Sequence, residues 1–192
     1  MIEKEEIRRI ITSRQRRSLP PEEKRRAAVL VPLYKEEGSI QILLLRRTEH
    51  LRVHQGQIAF PGGTWHPGDA NHIATALREA HEEVGIRPED VEVLGELDDT
   101  STATSNFLIT PVVGVIPPSY PYQIHAGEVA ELLTFPLEIL RDPQAFQEEM
   151  WERDGRNVRV FVRREGSNII WGATARILLH LGEILFPPHA GD

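Results

Sequence analysis

The feature that most constrains this chain is the stretch HQGQIAFPGGTWHPGDANHIATALREAHEEVG, residues 54–85. It passes from a loop carrying the double glycine Gly62–Gly63 into a helical pattern where Glu79, Glu82 and Glu83 crowd into one turn beside Arg78. At about 100° per residue, Ile73, Leu77, Ala80 and Val84 share one side. The three glutamates fall on a different side, facing roughly away from that stripe, with the small Thr75 and Ala76 alongside them. Asp69 is the expected N-cap and Gly85 the expected helix-ending glycine. Like charges three and four residues apart destabilise a helix, so the cluster calls for an explanation. A solvated face is the ordinary fate of adjacent glutamates. The alternative is a divalent cation that offsets their repulsion. Mg²⁺ prefers hard oxygen ligands and often bridges to substrate phosphates, and glycine backbone at 62–63 can come close to an ion or a phosphate.

The rest of the chain reads as a mixture of strands and helices without a βαβ rhythm. Residues 2–17 form a charged helical pattern with Ile7, Ile10 and Ile11 on one side. A linker broken by Pro20 and Pro21 comes next. RAAVLVPLY (26–34) and IQILLLRR (40–47) are strand-like runs joined by EEGS, a hairpin signal. The segment from Thr48 to Asp69 is expected to be one long loop, and long loops are usually functional. Strands are expected at 91–99 and 108–118, separated by the polar loop TSTATSN. A short strand and a turn of helix from Pro136 occupy 130–140, a second hairpin covers 156–165 and 167–172, and an amphipathic helix closes the pattern at 173–185. The fold class is α+β, with helices packed on a mixed sheet.

Bulk properties narrow the function. The 192 residues suit one domain, 26–192, preceded by a helical extension, 1–25. A formal net charge of −7 argues against a general nucleic-acid binder, although metal ions would let an acidic protein handle an anionic substrate. With no cysteine, disulfides, thiolate catalysis and cysteine-built zinc sites are excluded. Neither a signal-peptide core nor a run of roughly 20 apolar residues is present, so a cytoplasmic location and no membrane partner are expected.

REAHEEVGI, residues 78–86, resembles the end of the Nudix box: Arg-Glu-apolar-x-Glu-Glu-x-Gly-apolar. Nudix proteins are hydrolases that cut nucleoside diphosphates linked to another moiety. The resemblance implies an α/β/α sandwich in which Glu79 and Glu83 hold Mg²⁺ or Mn²⁺. Glu82 would help as a ligand or through water, the Gly63 carbonyl would be a further ligand, and Arg78 would orient the carboxylates. The common box places glycine fourteen positions before its arginine and glutamate eight before it. Here those positions are Thr64 and Ala70, the double glycine lies one residue earlier, and Asp69 is the nearest acid. The loop therefore carries one extra residue.

LLLRRTEHLRVHQGQIAFPGG, residues 43–63, is similar to the coenzyme A signature of one Nudix subgroup. Arg47, Arg52, Gly56, Phe60, Pro61, Gly62 and Gly63 fall on that pattern in register. Leu45, Thr48 and His66 depart from it, as does Asn106 further along, where glycine is expected. The resemblance implies hydrolysis of coenzyme A or acyl-CoA to 3′,5′-ADP and 4′-phosphopantetheine or its acyl form. Arg47, Arg52, His54, Gly56, Phe60 and Gly62 would form the substrate surface. A later carboxylate, Glu128 or Glu131, would be base or third metal ligand, with Glu128 placed among the catalytic residues beside Glu79, Glu82 and Arg78. The alternatives are another Nudix substrate, such as ADP-ribose or a dinucleotide, and a non-catalytic ligand-sensing domain. Oligomeric state stays open.

Overall fold

The computed structural model describes residues 2–20, 23–49, 55–102, 105–153 and 155–187. Its centre is an eight-stranded mixed sheet. β1 (Arg25–Glu36) and β2 (Ser39–Arg47) form the expected hairpin. The turn residues Glu37 and Gly38 lie at φ 47° and 83°, which the glycine in EEGS allows at little cost. β1 pairs in parallel with β7 (Phe107–Val115) on its other edge. β5 (Glu92–Glu96) and the short β6 (Thr100–Ser101) extend the sheet beyond β7. β8 (Val129–Pro136) pairs with β2.

The segment expected as one long loop holds two short strands: β3 (Ile58–Ala59) pairs with β2, and β4 (Gly62–Thr64) pairs with β1. Both are too short to register as periodicity. Together they bring the double glycine onto the N-terminal half of β1, while β2 occupies the C-terminal half of the same edge. A smaller antiparallel sheet contains β9 (Phe146–Arg153), β10 (Arg156–Glu165) and β11 (Asn168–Trp171). β9 is absent from the sequence expectation because Glu148 and Glu149 interrupt its alternation.

Alternating strand residues feed two cores on opposite faces. Leu30, Leu43, Leu45 and Val112 pack against α2 (His72–Val84). Val31, Leu33, Ile42, Leu44 and Val113 pack towards α1 (Lys4–Ser13) and α3 (Gly172–Leu185). The result is an α/β/α sandwich. α1 is shorter than the expected 2–17 helix, and residues 14–20 run on without regular secondary structure. Ile2, Ile7 and Ile11 of this extension are buried in the same cluster as α3. Asn106 adopts φ 55°, a left-handed conformation asparagine tolerates better than most residues.

Candidate metal and substrate site

α2 positions the site, and its two ends are built differently. At the N-terminus the expected cap is corrected: Asn71, not Asp69, caps the helix, its Oδ1 accepting the Ala74 amide at 2.9 Å. Asp69 instead holds Arg78. Nε of Arg78 donates to Asp69 Oδ1 at 2.9 Å and Nη2 to Oδ2 at 3.1 Å. The Thr75 hydroxyl and the His66 amide each add a 2.9 Å bond to Oδ2. These donors, Arg78 foremost, keep the nearly buried Asp69 carboxyl well below the usual range. Arg78 also donates to the Thr64 carbonyl at 3.1 Å and pairs with Glu79 at 2.9 Å and Glu82 at 3.1 Å. One guanidinium thus ties β4 to α2 and to two of the three glutamates. Sequence reasoning, which assigned Asp69 as the cap, missed this contact; the nine-residue spacing from Asp69 to Arg78 is the signal that could have found it.

Further along α2 the glutamates part company. Glu82 is 57% exposed and turned towards Arg78. Glu79 and Glu83, four residues apart on one face, are 18% and 5% exposed. The expectation that all three face away from the core is therefore corrected: small Thr75 and Ala76, both fully buried, let this face of the helix close onto the sheet and carry Glu79 and Glu83 with it. Gly63 makes the approach possible. A Cβ at Gly63 would lie 2.5 Å from the Glu79 carboxylate. At Gly62, φ 156°, a Cβ would meet the Ala28 carbonyl and Val29 Cα, both backbone, at 2.5 Å. The Gly62 amide donates to Glu83 at 2.9 Å, and Arg47 reaches the other Glu83 oxygen at 3.2 Å.

Burial dominates the electrostatics here. It pushes the Glu83 carboxyl up to about 7, against the opposing Gly62 amide and Arg47, while the charges of Glu79 and Glu128 add to the rise. Burial also raises Glu79; Arg78 opposes it, and Glu82 and Glu128 reinforce it. Glu128 comes from the loop before β8, which wraps the end of α2: the His125 amide donates to the Glu83 carbonyl at 2.9 Å and the Gln123 amide to the Val84 carbonyl at 3.0 Å. Glu131 is elsewhere, paired with Arg46 at 2.6 Å.

The donor set is a fair fit for a hard divalent ion. It offers carboxylate oxygens in a poorly hydrated corner, repelling one another, with glycine backbone pressed against them. As the side chains stand, no three acidic or histidine groups among the described residues converge on one point. Glu79 leans on Arg78 and Glu83 on Arg47 and Gly62, as repelling carboxylates do when neighbouring donors are within reach.

Other expected site residues are distributed unevenly. Gly56 lies at φ 62°, where a Cβ would run into the Glu49 carboxylate. Phe60, expected on the substrate surface, is 3% exposed and packs into the core on the α3 side, where it braces the loop from within. Arg52 and His54 lie outside the described residues.

A mixed sheet between helices, with a carboxylate-bearing helix closed against a glycine strand, defines a class of hydrolases. Residues 24–154 match the NUDIX domain model, and the chain belongs to the Nudix hydrolase family. It is 44% identical over 159 residues to Nudix hydrolase NudL of Enterobacter sp. (strain 638), covering 82% of this chain and 81% of that one. It is 42% identical over 160 residues to the NudL protein of Yersinia pestis (strain Pestoides F), covering 83% and 79%. Among solved structures it is similar to a C. elegans Ap4A hydrolase binary complex, with 23% identity, TM-score 0.50 and coverage of 60% and 82%. It is also similar to a MutT/nudix family protein from Enterococcus faecalis, with 14% identity, TM-score 0.51 and coverage of 94% and 73%. These structural likenesses speak to the fold. No helix among the described residues is long and apolar enough to cross a membrane.

Proposed function

We propose that this chain is a Mg²⁺- or Mn²⁺-dependent diphosphatase that cleaves coenzyme A or acyl-CoA into 3′,5′-ADP and 4′-phosphopantetheine or its acyl form. The observation that carries the metal dependence is Glu83, buried beside Glu79 with too little positive charge around it to stay ionised easily. The coenzyme A part rests on the in-register signature at 43–63, with Arg47 and Arg52 as phosphate partners.

Glu79 and Glu83, with the Gly63 carbonyl and Glu82 near them, would hold the ion. When bound, it would neutralise the diphosphate, polarise phosphorus and lower the pKa of the attacking water. Arg78, fixed by Asp69 and the Thr64 carbonyl, keeps Glu79 and Glu82 aimed. Glu128, 45% exposed and 3.8 Å from His125, is near enough for its charge to act on Glu79 and Glu83, and would accept the proton of the attacking water. Arg47 has one nitrogen on Glu83, while its buried Nε has no hydrogen-bond partner among the described residues. Arg47 would be the phosphate partner that lies beside the ion-holding carboxylates.

Mass spectrometry of products formed in ¹⁸O water with Mg²⁺ tests the reading, using coenzyme A, acyl-CoA, ADP-ribose and Ap4A side by side. The expected result is 3′,5′-ADP and a phosphopantetheine product, one of them carrying a single ¹⁸O, with coenzyme A or acyl-CoA turned over fastest. Faster cleavage of ADP-ribose or Ap4A would move the substrate to the rival reading. Binding without turnover of any of the four would favour a ligand-sensing domain.

A further inference from the structure

We propose that Thr48 is a positioning residue that holds Glu128 in register with the carboxylates of α2. The inference rests on the catalytic reading of Glu128 given above and deepens it.

The geometry begins with a fault in the β2–β8 ladder. Arg46 pairs with Glu131, but Arg47 pairs with Val129, so Ala130 is passed over as a bulge. Bulges next to active sites re-aim the neighbouring side chains. Beyond the bulge Thr48 grips two successive carbonyls of the other chain segment. Its amide donates to Glu128 at 2.9 Å and its hydroxyl to Gly127 at 3.1 Å. Thr48 is buried at 7% exposure, so neither bond has much competition from water. The same segment is anchored at its other end to α2, through the His125 amide on the Glu83 carbonyl, and closes on itself through the Glu128 amide on the His125 carbonyl at 2.9 Å. Residues 125–128 are therefore strung between the end of α2 and the end of β2. Gly127 lets the turn close: a Cβ there would sit 3.1 Å from the His125 ring.

This arrangement separates Thr48 from its neighbours in the 43–63 signature. Arg47 touches a carboxylate directly. Among the described residues the hydrogen bonds of Thr48 go to backbone carbonyls, so it acts through Glu128. The hydroxyl is the needed group. A valine of the same shape keeps the packing and the amide bond but leaves the Gly127 carbonyl without its donor, freeing the turn to shift. Displacement of a reacting group by about 1 Å can cost on the order of 10²-fold in rate, and a partly released turn should cost less.

The test uses Thr48→Val and Thr48→Ser, each alone and with Glu128→Gln, on whichever of coenzyme A, ADP-ribose and Ap4A the full chain cleaves fastest. Kinetics are combined with amide hydrogen exchange. Thr48→Val should lower kcat about tenfold and leave KM nearly unchanged. It should also speed amide exchange across residues 125–129, while Thr48→Ser restores both readouts. In the Glu128→Gln background Thr48→Val should add no further loss. If Thr48→Val does not fold by circular dichroism, Thr48→Ala carries the same comparison. A loss that adds to that of Glu128→Gln, a KM effect without a kcat effect, or failure of serine to rescue would overturn the proposal. Full activity of Glu128→Gln alone would instead remove the reading beneath it.

Discussion

Asp99 and Glu83 are both buried, with side chains 2% and 5% exposed, yet their surroundings drive them in opposite directions. For Asp99, burial alone would raise the pKa. The Thr110 hydroxyl at 2.7 Å, the Leu19 amide at 2.9 Å and the Arg16 guanidinium outweigh it and hold the group below its ordinary value. For Glu83, burial wins. The Gly62 amide and Arg47 offset it in part, and Glu79 and Glu128 make matters worse. An acid supplied with a full set of donors is a fastener: Asp99, with Asp98 on Arg14, straps residues 14–20 to the segment between β5 and β6. An acid left short of positive charge is a place for a cation.

The comparison can be broken most sharply at Glu83. Glu83→Gln is expected to lower kcat by about a thousandfold, the several kcal/mol that metal-placed charge supplies, with an unchanged circular dichroism spectrum. Turnover near the wild-type rate at saturating Mg²⁺ would remove Glu83 from the machinery. Asp99→Asn should do the reverse. It leaves Glu96 as the one carboxylate on Arg16 among the described residues and should cost about 3 kcal/mol of stability in urea unfolding, with kcat per folded molecule unaffected.

The two acids also differ in the sign of their pH dependence. The folded pKa of Glu83 is raised from 4.5 to about 7, so its favourable contribution is full below pH 4.5 and is lost as pH rises through 7. In chelator-treated protein the loss should be on the order of 3 kcal/mol, and Glu83→Gln should flatten it. Asp99 has a depressed folded pKa, so its contribution is present at neutral pH and is lost only on acidification. Urea titrations from pH 2 to 8.5 with chelator measure both, the Asp99 loss falling below its ordinary value of 3.8. A smaller effect is expected from Gly63→Ala. The new methyl would crowd the Glu79 carboxylate and weaken Mn²⁺ binding by about tenfold, read by electron paramagnetic resonance, while the Asp99 network stays intact.

Legibility in the sequence tracks the range of the interactions. α2 and its Gly85 stop emerge from local periodicity and capping, and the β1–β2 hairpin from its turn. The N-cap is misplaced by sequence reasoning because Asp69 and Asn71 are both good caps; the choice depends on Arg78, which claims Asp69. The burial of Glu83 escapes it because helical spacing separates faces without saying how many of them are covered. Here β4 covers a second one, and β4 is too short to announce itself. The Arg16–Asp99 fastener joins residues 83 apart in sequence, and no local pattern predicts such a pairing. Glu128 and Glu131 look equivalent as letters in a row. The bulge at Arg46/Arg47 separates them, leaving Glu131 on Arg46 and Glu128 near Glu79 and Glu83.

The central claim is that the under-neutralised pair Glu79 and Glu83 exists to receive a divalent ion. Ion binding must then displace the proton that Glu83 holds near neutrality, since a carboxylate ligand binds in its deprotonated form. Isothermal titration of the metal-free protein with Mn²⁺, in two buffers of different ionisation enthalpy, counts the protons released. With a folded pKa of about 7 for Glu83, the account predicts release of about half a proton per ion at pH 7. It predicts almost none at pH 8.5, and none at either pH for Glu83→Gln. Tight binding at pH 7 without proton release, or the same release from Glu83→Gln, would contradict it.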